Sequence, residues 1–220
     1  VTSVSINLES LTTLTGSLAE VEGVFTLDDD SKVSLGDSPD VDLTISDASI
    51  TIADANTLSA QTSGVVTATI YEGTYDDLTD DTDGLTETTN NYAINLSEAI
   101  TVDNANTLQG KTVGVITATI SNGAISDLTS LTNSSSNSSY TITTTDGGIQ
   151  NAADIITINS KNTSGTITAS NIATVRGSAA NVISAYAAVD SGFGDENILI
   201  NDGEPTLAQA ISLNALTSGN

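Results

Sequence analysis

The sequence predicts a repeat solenoid, β-dominated with short helices and built of parallel strands at about 25 residues per rung. Three observations predict it. The string QTSGVVTATI at 61–70 returns as KTVGVITATI at 111–120 and more loosely as TSGTITAS at 163–170, and the chain closes on Thr217-Ser218-Gly219. The repeat glycines Gly64, Gly114, Gly165 and Gly219 are therefore 50, 51 and 54 residues apart. Upstream of each lies a segment whose apolar or small residues recur three apart, as Ile52, Ala55, Leu58 and again as Val102, Ala105, Leu108. Ala152, Ile155 and Ile158 hold these places in the third copy, and Leu207, Ala210 and Leu213 in the fourth.

Each unit reads as two halves of about 25 residues. The first half opens on a short β segment: Leu43-Thr44-Ile45, Ala93-Ile94-Asn95-Leu96, Thr141-Ile142-Thr143 or Ile198-Leu199-Ile200. The helix-spaced stretch follows, and Thr-Ser-Gly is expected to stop it, with glycine supplying a left-handed turn. The second half carries a β-branched strand, Val65–Ile70 or Val115–Ile120. A second short helix comes next, clearest over Ala179–Ala188, with Val182, Ile183 and Tyr186 on one side. LTGSLAEV at 14–21 matches VRGSAANV at 175–182, and the opening VTSVSI resembles the strand after each Thr-Ser-Gly.

The expected organisation is a single array over 1–220 of about four units, approximately 1–64, 65–114, 115–165 and 166–220. The array starts just after one repeat joint, ends on another and shows no atypical end unit, which suggests an excerpt or building block. The alternative is a tandem of antiparallel β-sandwich domains. That alternative leaves the recurring Ala-Asn-Thr-Leu unexplained.

Composition excludes whole classes of function. Among 220 residues there are 28 Asp and Glu against 4 Lys and Arg, a net charge of −24, with no His, Cys, Met or Trp. Without Cys or His there is no thiol or imidazole catalysis, no usual zinc or haem site and no disulfide. Four cations cannot neutralise a run of phosphates, so nucleic acid is not an expected partner, and the charge opposes anionic membranes. The longest apolar runs, such as VGVITATI at 113–120, fall short of the ~20 residues that span a bilayer. Ser and Thr account for 63 residues. The missing sulfur side chains and the acidity suit a saline, oxidising exterior, so the expected location is extracellular or on a cell surface.

Two acidic clusters invite a metal. One is Asp28-Asp29-Asp30 with Asp37, Asp40 and Asp42; the other is Asp76-Asp77, Asp80-Asp81-Thr82-Asp83-Gly84 and Glu87. Loop carboxylates converging on one ion are what Ca²⁺ requires, and Asp80, Asp81 and Asp83 are its expected ligands. The spacing does not complete an EF-hand loop, whose first and twelfth positions would be Thr79 and Asn90. The competing reading is a solvated acidic loop. Asn95, Asn133, Asn137 and Asn162 satisfy the N-x-Ser/Thr pattern and are glycosylation candidates in a chain where the pattern also arises by chance. No catalytic or cofactor-binding residue is expected: five Tyr, two Phe and no Trp offer few platforms for a glycosidase cleft, and a Ser-His-Asp arrangement is impossible. Thr67/Thr69 and Thr117/Thr119 fit the Thr-x-Thr ladder of an ice-binding face, but the intervening rungs do not.

The strings IADANTLSAQTSGVVTATI, VDNANTLQGKTVGVITATI and LTGSLAEV resemble the tandem repeats of giant surface or adhesin-like proteins of marine cyanobacteria and other aquatic bacteria. Similar repeats are expected in phage fibre-like proteins. The resemblance implies a structural or adhesive role outside the cell and carries over no catalytic residue. The expected function is thus a structural module of an extracellular filament, surface layer or large adhesin. It would assemble by rung stacking or end-to-end self-association into a fibre or array. The alternative is a phage or cell-surface fibre segment that binds polysaccharide.

Overall fold

The computed structural model describes residues 6–36, 39–71, 73–121, 123–132 and 138–219. In chain order its elements are β1 (Ile6–Asn7), β2 (Thr13–Gly16), α1 (Leu18–Asp29), β3 (Val33–Ser34), β4 (Asp42–Ile45), α2 (Ile52–Gln61), β5 (Val66–Ile70) and α3 (Tyr75–Thr79). Then come β6 (Asn91–Ile100), α4 (Val102–Gln109), β7 (Ile116–Ile120), α5 (Ile125–Leu128), β8 (Ser138–Thr143), β9 (Gly148–Asn151) and α6 (Ala152–Lys161). The last are β10 (Thr166–Thr168), β11 (Ile172–Ser178), α7 (Ala179–Ala188), β12 (Asn197–Asp202) and α8 (Leu207–Leu216).

This is a mixed α/β fold, Rossmann-like in that parallel strands alternate with helices, and it corrects both expected fold classes. A seven-stranded parallel sheet runs β10-β8-β7-β6-β5-β4-β2; β12-β11-β9 form a separate three-stranded sheet and β1-β3 a two-stranded one. A β-dominated repeat solenoid undercounts the helices, of which the described residues form eight. The antiparallel β-sandwich fails on strand direction, since β2–β4, β4–β5, β5–β6, β8–β10, β9–β11 and β11–β12 all pair parallel. The filament architecture expected with the solenoid gives way to two compact α/β units.

The helices form because the chain supplies their starts. Ser17 with Glu20, Thr51 with Asp54, Thr74 with Asp77 and Thr206 with Gln209 close reciprocal capping boxes at α1, α2, α3 and α8. In each box the hydroxyl accepts the third helical N–H while the acid or amide accepts the cap's own N–H, so two otherwise orphaned donors are satisfied. Parallel strands need crossovers of a dozen residues or more, and these capped helices provide them.

One compact unit comprises Val1–Ser97 with Thr107–Ile116. In it β2, β4, β5 and β6 lie side by side with Leu43 opposite Val66 and Ala68 opposite Tyr92. Its core gathers Leu43, Ala55, Leu58, Val66, Leu78 and Ile94. The other unit comprises Glu98–Asn106 with Thr117–Asn220. There α6 packs on α7 and α7 on α8, and Ile155, Ile158, Val175, Val182 and Ala185 are buried.

The sequence repeat acquires a physical meaning at its joints. Thr62 Oγ1 donates to the Val41 carbonyl (2.7 Å) and accepts the N–H groups of Val41 (3.1 Å) and Gly64 (3.0 Å). Thr112 does the same with the Tyr92 carbonyl (2.8 Å), Tyr92 N–H (2.9 Å) and Gly114 N–H (2.9 Å). Thr217 donates to the Glu196 carbonyl (2.6 Å) and accepts from Gly219 N–H (3.0 Å). In the third copy one more residue separates the clamp from its glycine, and the longer Asn162 spans the gap. Its Nδ2 donates to the Tyr140 carbonyl (2.9 Å) and its Oδ1 accepts Tyr140 N–H (2.7 Å).

The repeat glycines correct the left-handed turn expected of them, because none has a positive φ. A Cβ on Gly64, Gly114, Gly165 or Gly219 would instead collide with the carbonyl of Val41, Tyr92, Tyr140 or Glu196 respectively. Glycine is required there for close approach of two backbones.

Two substitutions separate the parts of the joint. Thr112→Val strands buried backbone groups and is expected to lower stability by about 2 kcal/mol. Gly114→Ala forces Cβ into the Tyr92 backbone and costs a further 1–3 kcal/mol or so. Urea midpoints of the two variants, with Thr112→Ser as the near-neutral control, check both values.

Candidate functional site

A well-formed cleft of the first unit grows out of one β bridge. Ile50 pairs with Ile70, Ile50 N–H donating to the Thr69 carbonyl (2.9 Å) and Tyr71 N–H to the Ile50 carbonyl (2.7 Å). That register brings Tyr71, at the end of β5, beside Thr51 and Ile52 at the start of α2. The chain then turns into α3, whose capping box holds Asp76 and Asp77 in its first turn. The resulting cleft of about 520 Å³ is lined by Thr51, Ile52, Tyr71, Asp76, Asp77, Asp80 and Asp83, among others. Tyr71 is 66% exposed, so its ring is available to a ligand.

The carboxylates here are held ionised by backbone donors. Asp77 Oδ2 accepts from Thr74 N–H (2.9 Å) and Thr74 Oγ1 (2.8 Å), and these bonds, the backbone one foremost, keep its pKa below the ordinary value. Asp80 Oδ1 accepts from Thr82 N–H (2.7 Å) and Asp83 N–H (3.1 Å), which lower its pKa in the same way. Of the expected metal ligands, Asp80 and Asp83 line the cleft and Asp81 does not. Among the described residues no three carboxylates are grouped so as to hold a metal ion. An aromatic face beside fixed carboxylate acceptors suits a ligand that presents hydroxyl or cationic groups.

The first acidic cluster closes loops. Asp28 Oδ1 accepts Leu35 N–H (2.7 Å), Asp42 Oδ1 accepts Val65 N–H (2.8 Å), and Asp30 pairs with Lys32 (2.8 Å). Asp37 lies outside the described residues. Of the glycosylation candidates, Asn95 is exposed on β6, while Asn162 is buried in its joint with both side-chain atoms engaged. Asn133 and Asn137 lie outside the described residues.

Two features of the second unit escaped the sequence. A polar cleft of about 410 Å³ opens at the starts of α6 and α7, lined by residues including Asn151, Asp154, Arg176, Ser178 and Asp202. Arg176 Nε and Nη2 both donate to Asn151 Oδ1 (3.2 and 2.7 Å), which leaves α6 without a side-chain cap. The second feature is Glu196, 2% exposed, whose Oε2 accepts from Tyr186 Oη (2.9 Å) and Gly194 N–H (2.8 Å) while Oε1 has no partner. Burial foremost, and the bond to Glu196 next, push the Tyr186 pKa up. Glu196 stands where the other joints place Val41, Tyr92 and Tyr140. Aligning the clamped residues would have exposed this exchange.

Tyr92 is fully buried, its hydroxyl donating to the Ala55 carbonyl (3.1 Å), and desolvation pushes its pKa up to about 12. A raised folded-state pKa means that this contribution is complete below the unfolded value of 10.0 and is lost as pH rises through about 12. Wild-type stability is therefore expected to fall over that alkaline window, and Tyr92→Phe, less stable at neutral pH by ~1 kcal/mol, to fall less steeply. Glu196→Gln keeps an oxygen to accept from Tyr186 and Gly194, replaces the buried oxygen that has no partner among the described residues, and is expected to raise the melting temperature. Thermal unfolding across pH checks both expectations.

Comparison of the chain with protein-family models, with curated proteins and with solved structures finds no match in any of the three.

Proposed function

We propose that the chain is a non-catalytic structural module that works outside the cell by associating end to end with copies of itself. The supporting observation is the state of the fourth helix of the repeat. Leu207 of α8 is 79% exposed, whereas its counterparts Val102 of α4 and Ala152 of α6 are 4% and 0% exposed. Ile211, one turn on, is 64% exposed, and Leu199 of β12 is 44% exposed. Two large apolar side chains one turn apart on a helix of a chain this acidic mark a surface that gains from being covered.

Light scattering from about 1 µM to about 1 mM tests the reading, with a rise in mass on concentration expected. A constant monomer mass over that range removes it.

The Tyr71 cleft favours a second reading, a module that binds saccharide by ring stacking and hydroxyl-to-carboxylate hydrogen bonds. On that reading Tyr71→Ala abolishes retention on a polysaccharide column, with the fold unchanged by circular dichroism. Equal retention of the variant removes the cleft from the function.

A further inference from the structure

We infer that the face formed by β12 and α8 receives the β2–α1 end of a second copy, seated as β11 and α7 sit on β9 and α6 within the chain. The inference rests on the self-association reading and names the two surfaces that meet.

The receiving face is a copy of one already covered. Both β9–α6 and β12–α8 are a parallel strand leading directly or through a short turn into a ten-residue helix. Ala152, Ile155, Ile156 and Ile158 of α6 correspond to Leu207, Ala210, Ile211 and Leu213 of α8. α7 packs against α6, and β11 pairs with β9 through Val175 opposite Gln150 and Arg176 opposite Asn151. α8 has α7 on one side, while Leu207 and Ile211 remain exposed. β12 ends its sheet, so among the described residues no strand lies on its second edge.

The entering end is a copy of the piece that does the covering. Leu14–Val21 repeats Val175–Val182, which makes β2–α1 the counterpart of β11–α7. On α7, Ala179 and Ala185 are buried (5% and 0%); on α1 the matching Leu18 and Val24 are only half-buried. β2 ends the seven-stranded sheet, and among the described residues no strand lies on its second edge. Gly177 lets β11 pass the start of α6, since a Cβ there would meet Ala152 Cβ at 3.1 Å. The matching Gly16 is retained on β2, where a Cβ would meet the Glu20 carboxylate of the α1 capping box at 3.1 Å.

Charge permits the approach. α8 reads LAQAISLNAL and carries no ionised side chain, so the carboxylates of the receiving face are confined to Asp202 of β12 and Glu204 in the turn before α8. Strand pairing at the open edges then adds main-chain hydrogen bonds to the apolar contact.

The pairing is heterologous, which makes it separable by mutation. Leu207→Asp with Ile211→Asp blocks the receiving face, and Leu18→Glu with Val24→Glu blocks the entering end; urea midpoints confirm that both variants fold. In sedimentation velocity each blocked variant alone is expected to remain a monomer, its dissociation constant raised roughly 30-fold or more over wild type. An equimolar mixture of the two is expected to form a one-to-one dimer and nothing larger, because one open face of each kind remains. Undiminished self-association of the receiving-face variant overturns this inference while leaving the self-association reading intact, as does a dimer of the entering-end variant alone. A wild-type chain that stays monomeric at about 1 mM overturns both. If the entering-end variant unfolds, Val24→Glu alone serves in its place, with the same mixture as readout.

Discussion

Everything in this chain depends on a hydroxyl that satisfies three backbone groups at once. At Thr62 and Thr112 a single Oγ1 donates to a carbonyl and accepts two N–H groups, and the glycine two residues later lets the chain lie against the strand it has clamped. Parallel strands joined by helices have loops on both sides, and loop backbone must find partners or water. The clamp supplies them in a fixed register. Asn162 shows that the constraint is on geometry and not on residue type, since it reaches Tyr140 across an inserted residue that no threonine could bridge.

The same economy explains the acidic residues. Glu20, Asp54 and Asp77 fill the acid position of capping boxes, Asp28 and Asp42 close loops, and Asp80 gathers two N–H groups of its own turn. Carboxylates are favoured at helix starts, where the peptide dipoles converge. Acidic residues of one sequence cluster point to different backbone partners, Asp28 to Leu35 and Asp42 to Val65. The Tyr71 cleft collects four carboxylates, Asp76, Asp77, Asp80 and Asp83, around the start of α2.

Glu196 is the exception to this pattern. It occupies a position that elsewhere holds Val41, Tyr92 or Tyr140, and one of its oxygens is buried without a partner. It lies in the terminal joint, two elements from the exposed residues of α8. The last copy of the repeat thus differs from the others in its buried polarity and in its bare apolar face alike.

By itself the sequence determined the repeat, its glycine spacing and the location of the recurring helix, because a clamp and a close approach impose the same residues at every joint. Ile52-Ala55-Leu58 and its three counterparts all lie in helices, as their spacing required. The capping boxes were legible too, and weighing them would have shifted the expected balance from strand toward helix. Only the tertiary structure decided the mixed α/β architecture, the parallel order of the seven-stranded sheet and the identity of the clefts. The reason is that Tyr71 and Asp83, or Asn151 and Arg176, are distant in the chain and meet only when a strand register is chosen. The role of glycine likewise turned on the neighbouring strand: a close approach and a left-handed turn ask for the same residue, and only the second backbone tells them apart.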